Sequence, residues 1–166
     1  MTNPNHRLKA LKALTWLFIV GLFISGATAL PLQTELDAFA KFLGDSQSGF
    51  AFWIFKVRDA LDHTYAAYPF LAYGTDWLAF GHFVIALAFV GALRDPVRNR
   101  WLYLFGMISC VLVIPYAIIC GGVRGIPIYW RLIDCSFGVF GFIPLWFCWK
   151  WSGEIERAGT LKNNRL

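Results

Sequence analysis

Four ionisable side chains fall inside or at the edge of long apolar stretches of this sequence: Asp76, His82, Arg131 and Asp134. Charge is costly among apolar neighbours and is kept there for pairing or for chemistry. His82 could pass a proton near neutral pH, ligate a metal or haem, or donate to a polar ligand; Asp76 is the second candidate acid or base. Their spacing of six residues puts them on different faces of an ideal helix. Arg131 and Asp134 stand at i, i+3, a spacing that allows an ion pair along one helix face. Arg124 and Arg131 flank the glycine-rich stretch Cys120-Gly121-Gly122-Val123-Arg124-Gly125-Ile126-Pro127-Ile128-Tyr129-Trp130-Arg131. Their planar guanidinium groups suit two-point contact with an anionic headgroup or a carboxylate, or pairing with acids such as Glu35 or Asp76. The stretch has no G-x-x-x-x-G-K-[ST] pattern and follows no strand, which excludes a nucleotide loop. A zinc or haem site needs a second ligand, and His63 is the only other histidine outside the amino-terminal tail, so no metal or cofactor is assigned.

These side chains need elements to hold them, and composition says in which solvent. The chain has 166 residues, 58% of them hydrophobic, and a mean hydropathy of +0.54. That much apolar surface in one domain-sized chain is matched by lipid rather than by a soluble core. The net charge of +5 is scattered over short loops and tails instead of forming one stripe, which argues against nucleic acid. Eight Trp and six Tyr lie mostly near the ends of the apolar runs, at the headgroup level of a bilayer.

Four runs are expected to span: about Leu11 to Leu30, Trp77 to Leu93, Trp101 to Cys120 and Leu132 to Trp151. Each is near the roughly 20 residues a helix needs to cross the hydrocarbon, and only a helix satisfies its own backbone there. The expected fold is all-α, a polytopic membrane four-helix bundle forming one domain over residues 1–166. Arg7, Lys9 and Lys12 precede the first run; Arg94, Arg98 and Arg100 join the second to the third; Lys150, Arg157, Lys162 and Arg165 follow the fourth. With four spans these residues share one side, which the positive-inside rule makes cytoplasmic, and both termini lie there. His82 then lies roughly 9 Å below the outer boundary at helical rise. The basic start, the apolar run, and Ala27 with Ala29 also fit a secretory signal cleaved before Leu30. The small-residue stripe Gly21, Ser25 and Ala29 favours an uncleaved helix packed against a neighbour.

Residues 31–76 form the one long external segment, expected to carry short amphipathic helices. Thr34 with Asp37 resembles a capping box, Leu36, Phe39, Ala40 and Leu43 recur at helical spacing, and Gly44 is placed to stop the helix. After Asp45-Ser46-Gln47-Ser48-Gly49, a second helix carries Phe50, Trp53, Ile54, Val57, Leu61, Tyr65 and Tyr68 on one side and Lys56, Asp59 and His63 on the other. Such a helix rests on the bilayer surface or over the mouth of a bundle.

Cys110, Cys120, Cys135 and Cys148 include no C-x-x-C; Cys120 and Cys135 are level enough to bridge, and all four suit small apolar packing positions. Pro115 and Pro144 fall inside spans. Gly106, Ser109, Cys110, Val113 and Ala117 form a narrow stripe on the third span, and Asp134, Gly138 and Gly141 one on the fourth, so these two helices are expected to pack closely.

The stretch Tyr73-Gly74-Thr75-Asp76-Trp77-Leu78-Ala79-Phe80-Gly81-His82, the Arg94-Asp95-Pro96 turn and Trp130-Arg131-Leu132-Ile133-Asp134-Cys135-Ser136-Phe137-Gly138 resemble a group of small bacterial integral membrane proteins with no assigned activity. The resemblance covers about residues 20–150 and implies a bacterial inner-membrane location. Four spans, internal termini and a long first external loop are also similar in layout to the emopamil-binding and sigma-2 receptor family, an architectural likeness that carries no mechanism. The expected binding set is Asp76, His82, Arg124, Arg131 and Asp134 with Glu35, lining an outward polar pocket for a lipid, an amphiphile, or a membrane partner or second copy of the chain. Proton-transfer catalysis on an apolar substrate by His82 or Asp76 is the first alternative, and haem binding the second.

Overall fold

The computed structural model describes the backbone of residues 4–163 and the side chains of residues 6–159. Among the described residues the chain is helical throughout: α1 (Pro4–Ala29), α2 (Leu32–Leu43), α3 (Gly49–Ala67), a 3-10 turn (Pro69–Ala72), α4 (Tyr73–Arg94), α5 (Arg100–Val123) and α6 (Ile128–Asn163), with no strand. Four helices are long and apolar enough to cross a membrane, over His6–Ala29, Pro69–Arg94, Arg100–Val123 and Ile128–Gly159. Only 22% to 28% of each apolar window is buried within the protein, so most of that surface faces outward and calls for lipid as its solvent. The helices overrun the expected spans: α4 begins four residues before Trp77, and α6 continues well past Trp151. Of the basic residues assigned to the terminal side, Arg165 lies outside the described residues, and only the backbone of Lys162 is described.

Contacts divide the chain into two compact units, Met1–Val20 with Ala86–Leu166, and Gly21–Ile85. In the first unit α5 and α6 pack closely, as the small residues require. A Cβ on Gly138 would run into the Cys110 carbonyl oxygen and lie 2.7 Å from Val113 Cγ1; one on Gly141 would lie 2.9 Å from Cys110 Sγ. A Cβ on Gly106 would lie 2.7 Å from Leu145 Cδ1. Ser109, expected in this stripe, instead lies exposed and donates to the Phe105 carbonyl, 3.0 Å away on its own helix. Leu11, Phe89, Tyr103 and Leu145 are fully buried in this unit.

The short α4–α5 connection is held by its own side chains. Asn99 Nδ2 donates to the carbonyls of Gly91 (3.1 Å) and Asp95 (3.0 Å), and Asp95 Oδ1 accepts the Arg98 N–H at 3.0 Å. The α5–α6 connection is a Schellman turn. Gly125 takes φ +69°, its N–H bonds the Gly122 carbonyl at 3.2 Å, and the Ile126 N–H bonds the Gly121 carbonyl at 2.9 Å. Pro127 then leads directly into α6, its carbonyl accepting the Trp130 and Arg131 N–H groups at 3.0 and 3.2 Å.

In the unit Gly21–Ile85, α2 and α3 pack together: Gln33 Nε2 donates to Asp62 Oδ1 at 2.7 Å, and Phe39 meets Phe50 edge to face with centroids 6.1 Å apart. Gly44 ends α2 at φ +53°, as its position suggested. The start of α2 differs from the capping-box expectation. The helix begins at Leu32 after Pro31, with no side-chain cap, so Thr34 is already inside the first turn. The Pro31 carbonyl accepts the Glu35 N–H at 3.0 Å, which explains how the turn closes without a capping hydroxyl. The side-chain cap belongs to α3, where Ser48 accepts the Ala51 N–H at 3.1 Å.

The close-contact position on α1 also differs from expectation. A Cβ on Gly21 would meet no neighbouring element within 4 Å, and Ser25 is exposed. A Cβ on Gly26, in contrast, would lie 2.9 Å from both His82 Cβ and Phe83 Cε1 and 3.0 Å from the Ala79 carbonyl oxygen. One residue shifts the face by about 100°, so a stripe read from spacing points away from the partner that the glycine next to it meets.

Candidate functional site

The six expected binding residues fall three to each unit: Glu35, Asp76 and His82 within Gly21–Ile85, and Arg124, Arg131 and Asp134 within the other. Each set has its own geometry.

Asp76 lies in the first turn of α4, where a carboxylate complements the positive end of the helix dipole. It is exposed. Around it, Tyr73, Trp77 and Phe80 recur at helical spacing, and their rings meet nearly at right angles: Tyr73–Trp77 at 5.8 Å and 87°, Trp77–Phe80 at 5.5 Å and 86°. These four residues line a shallow, almost wholly apolar cleft of about 220 Å³. His82, half-buried one and a half turns on, donates from Nδ1 to the Leu78 carbonyl at 2.8 Å, because a carbonyl can only accept. Its Nε2 is therefore the acceptor of the neutral ring. The bond is to its own helix and not to a neighbouring one. Glu35 is exposed in the first turn of α2.

Arg131 does not pair with Asp134. Its side chain lies across the last turn of α5, where a Cβ on Gly121 would fall 2.5 Å from Cδ and one on Gly122 3.2 Å from Nη1. Nη1 donates to the Ile118 carbonyl at 3.3 Å. A cation at the C-terminal end of a helix is favoured by the dipole and by the unspent carbonyls there, and this draws the guanidinium away from the carboxylate on its own helix. Nε is buried without a partner. Asp134 is half-buried with no ion pair among the described residues, and Arg124, the C-terminal cap of α5, is exposed.

A buried polar cluster joins residues that sequence reasoning did not bring together. Thr15 on α1, Tyr103 on α5 and Cys148 on α6 are all at most 1% exposed. Thr15 Oγ1 lies 2.9 Å from both the Leu11 carbonyl and the Tyr103 hydroxyl, and 3.8 Å from Cys148 Sγ. Tyr103 donates to the Ala92 carbonyl of α4 at 3.3 Å, and Cys148 Sγ to the Leu11 carbonyl at 3.7 Å. Four helices therefore meet through two hydroxyls and a thiol. The only signal of this cluster in the sequence was three mildly polar residues inside apolar runs, which taken singly look like packing. Toward the terminal end of the same unit, Arg7 pairs with Glu154. Arg100 lies across Gly153, with its guanidinium 4.3 Å over the Trp149 ring, Nε donating to the Trp149 carbonyl at 3.1 Å and Nη1 3.9 Å from Glu156.

All four cysteines are free thiols, including Cys120 and Cys135, which the sequence left open to bridging; Cys135 Sγ turns to the Ile114 carbonyl at 3.8 Å. Among the described residues no three His, Cys, Asp or Glu side chains converge to hold a metal ion.

Fold and site together define a helical protein with four membrane-length apolar helices, a buried hydroxyl–thiol cluster, and ionisable groups set separately on α4 and at the α5–α6 turn. No family model, no curated protein and no solved structure matches the chain.

Proposed function

We propose that this is a multi-pass protein of the bacterial inner membrane, a four-span helical bundle with both termini cytoplasmic, that recognises the apolar body of a lipid or amphiphile without catalysing its conversion. The observation that carries this reading is the cleft walled by Tyr73, Trp77 and Phe80, with the Asp76 carboxylate exposed beside it. Aromatic rings offer a large apolar contact area with few rotors to order, and a carboxylate at the edge favours a ligand whose polar end can reach water. Placement at the first turn of a membrane-length helix suits a ligand that itself lies at the headgroup boundary.

Native mass spectrometry of gently solubilised protein, with lipid extraction and a visible spectrum on the same sample, tests this. The expected result is a stoichiometric small molecule, lost in Trp77→Ala and weakened in Asp76→Asn, and no Soret band. An empty wild type that retains a second protein subunit would replace ligand recognition by partner binding.

A second reading rests on His82. The Nδ1 bond to Leu78 fixes the tautomer and leaves Nε2 as a base, the arrangement proton transfer requires. Recovery of the bound molecule as two interconverted species from the wild type, but as one from His82→Gln, would favour the enzyme.

A further inference from the structure

We infer that the α5–α6 turn is a binding site for a phosphate oxyanion, carried by the headgroup of an anionic phospholipid and held by Arg131 and Arg124. At 24 residues α5 is about 36 Å long, more than the roughly 30 Å of hydrocarbon, so both its ends reach the headgroup zones. The half-buried arginines at the two ends are placed differently. At the terminal end Arg7 and Arg100 have Glu154 and Glu156 as partners from within the chain, and only the exposed Arg94, Arg98 and Arg157 have no carboxylate of the described residues within 4 Å. At the other end, the twelve residues from Cys120 to Arg131 contain no acid, and no carboxylate of the described residues lies within 4 Å of Arg124 or Arg131.

Arg131 is half-buried and its seat is specific. Gly121 and Gly122 leave the space its side chain occupies, and the one hydrogen bond it makes, from Nη1 to the Ile118 carbonyl, fixes the plane of the guanidinium. Of five N–H donors one is used. Nε is closed off from solvent, so an anion meets the group at the two Nη nitrogens, the end-on fork that matches two oxygens of a phosphate. A half-buried cation with no anion beside it among the described residues is expected to take one from its surroundings, and at headgroup level the abundant anion is a phosphodiester. Arg124, exposed at the cap of α5, adds a second charge, and Tyr129 and Trp130 are of the residue types that settle at this depth.

The test uses full-length protein in detergent micelles, with lipid retention read by native mass spectrometry for phosphatidylglycerol against phosphatidylcholine and millimolar inorganic phosphate as competitor. Wild type should retain phosphatidylglycerol over phosphatidylcholine by about tenfold or more. Arg124→Ala and Gly122→Ala should each reduce that preference several-fold, the latter because its Cβ would stand 3.2 Å from Nη1. Arg131→Lys should abolish it, since an ammonium lacks the fork. Arg98→Ala should leave it unchanged, and because the α4 cleft is read by loss of its own small molecule, this site and the cleft can fail separately. Undiminished preference in Arg124→Ala and Gly122→Ala overturns the site even if the Arg131 variant fails to fold. Displacement of the lipid by inorganic phosphate keeps the oxyanion site and overturns the lipid as its source.

Discussion

The buried hydroxyl–thiol cluster of the α5–α6 unit and the helical pair of the Gly21–Ile85 unit differ in what their interiors are made of. In the first, Thr15, Tyr103 and Cys148 are sealed from solvent and each has a partner on another helix. In the second, the buried side chains are apolar, Ala40, Ala51, Ile54 and Ala79, while Phe42 and Phe52 stand 83% and 68% exposed. In an apolar solvent, apolar contact alone barely discriminates one helix register from another. A hydrogen bond between helices does, and the chain places such bonds where four helices must meet in one arrangement. Exposed rings are left for contact with something outside the chain.

The largest effect should come from breaking the cluster at its centre. Tyr103→Ala removes a fully buried ring beside Phe89, whose centroid is 6.3 Å away, and should cost about 3–5 kcal/mol in detergent unfolding. Tyr103→Phe keeps the ring and loses only the hydroxyl, at about 1 kcal/mol. Equal costs for the two would show that the hydroxyl rather than packing holds the helices. Next in size is Gly138→Ala, whose Cβ meets the Cys110 carbonyl oxygen. Backbone cannot step aside as a side chain can, so α5 and α6 must separate, at about 1–3 kcal/mol. A neutral Gly138→Ala would mean the pair is not held by close approach.

What was legible in the sequence follows the same division. Spans depend on apolar length alone, so all four helices could be found from it, as could the Gly44 stop, where a positive φ demands glycine. Close contacts depend on rotation about the helix axis, which spacing leaves ambiguous by a residue: hence Gly21, Ser25 and Ala29 in place of Gly26. Charges drew attention to Arg131 and Asp134 as a pair, but the C-terminal carbonyls of α5, which compete for the guanidinium, are a property of the folded turn. The Thr15–Tyr103–Cys148 cluster was illegible because its members are 88 and 133 residues from Thr15 and belong to three helices.

The smallest expected effect on stability tests the other side of the comparison. Phe42 lies near the end of α2, in contact with Phe39 at 6.2 Å between centroids and otherwise turned outward. Only Leu30 and Pro31 separate α2 from the end of α1, a reach of at most about 11 Å, so the start of α2 stays near the membrane boundary if α1 spans. Phe42→Ser should therefore change unfolding free energy by less than about 0.5 kcal/mol, as at other exposed positions. Its consequence should appear only where a bilayer is present. In nanodiscs the amides of α2 should exchange several-fold faster in the variant than in the wild type, while those of α5 keep their protection. A cost above about 1 kcal/mol in detergent would show that Phe42 packs against protein, and the contrast between the two units would collapse. Unchanged exchange of α2 would instead leave Phe42 without a lipid contact and return the membrane-facing role to Phe52 and the rings of α4.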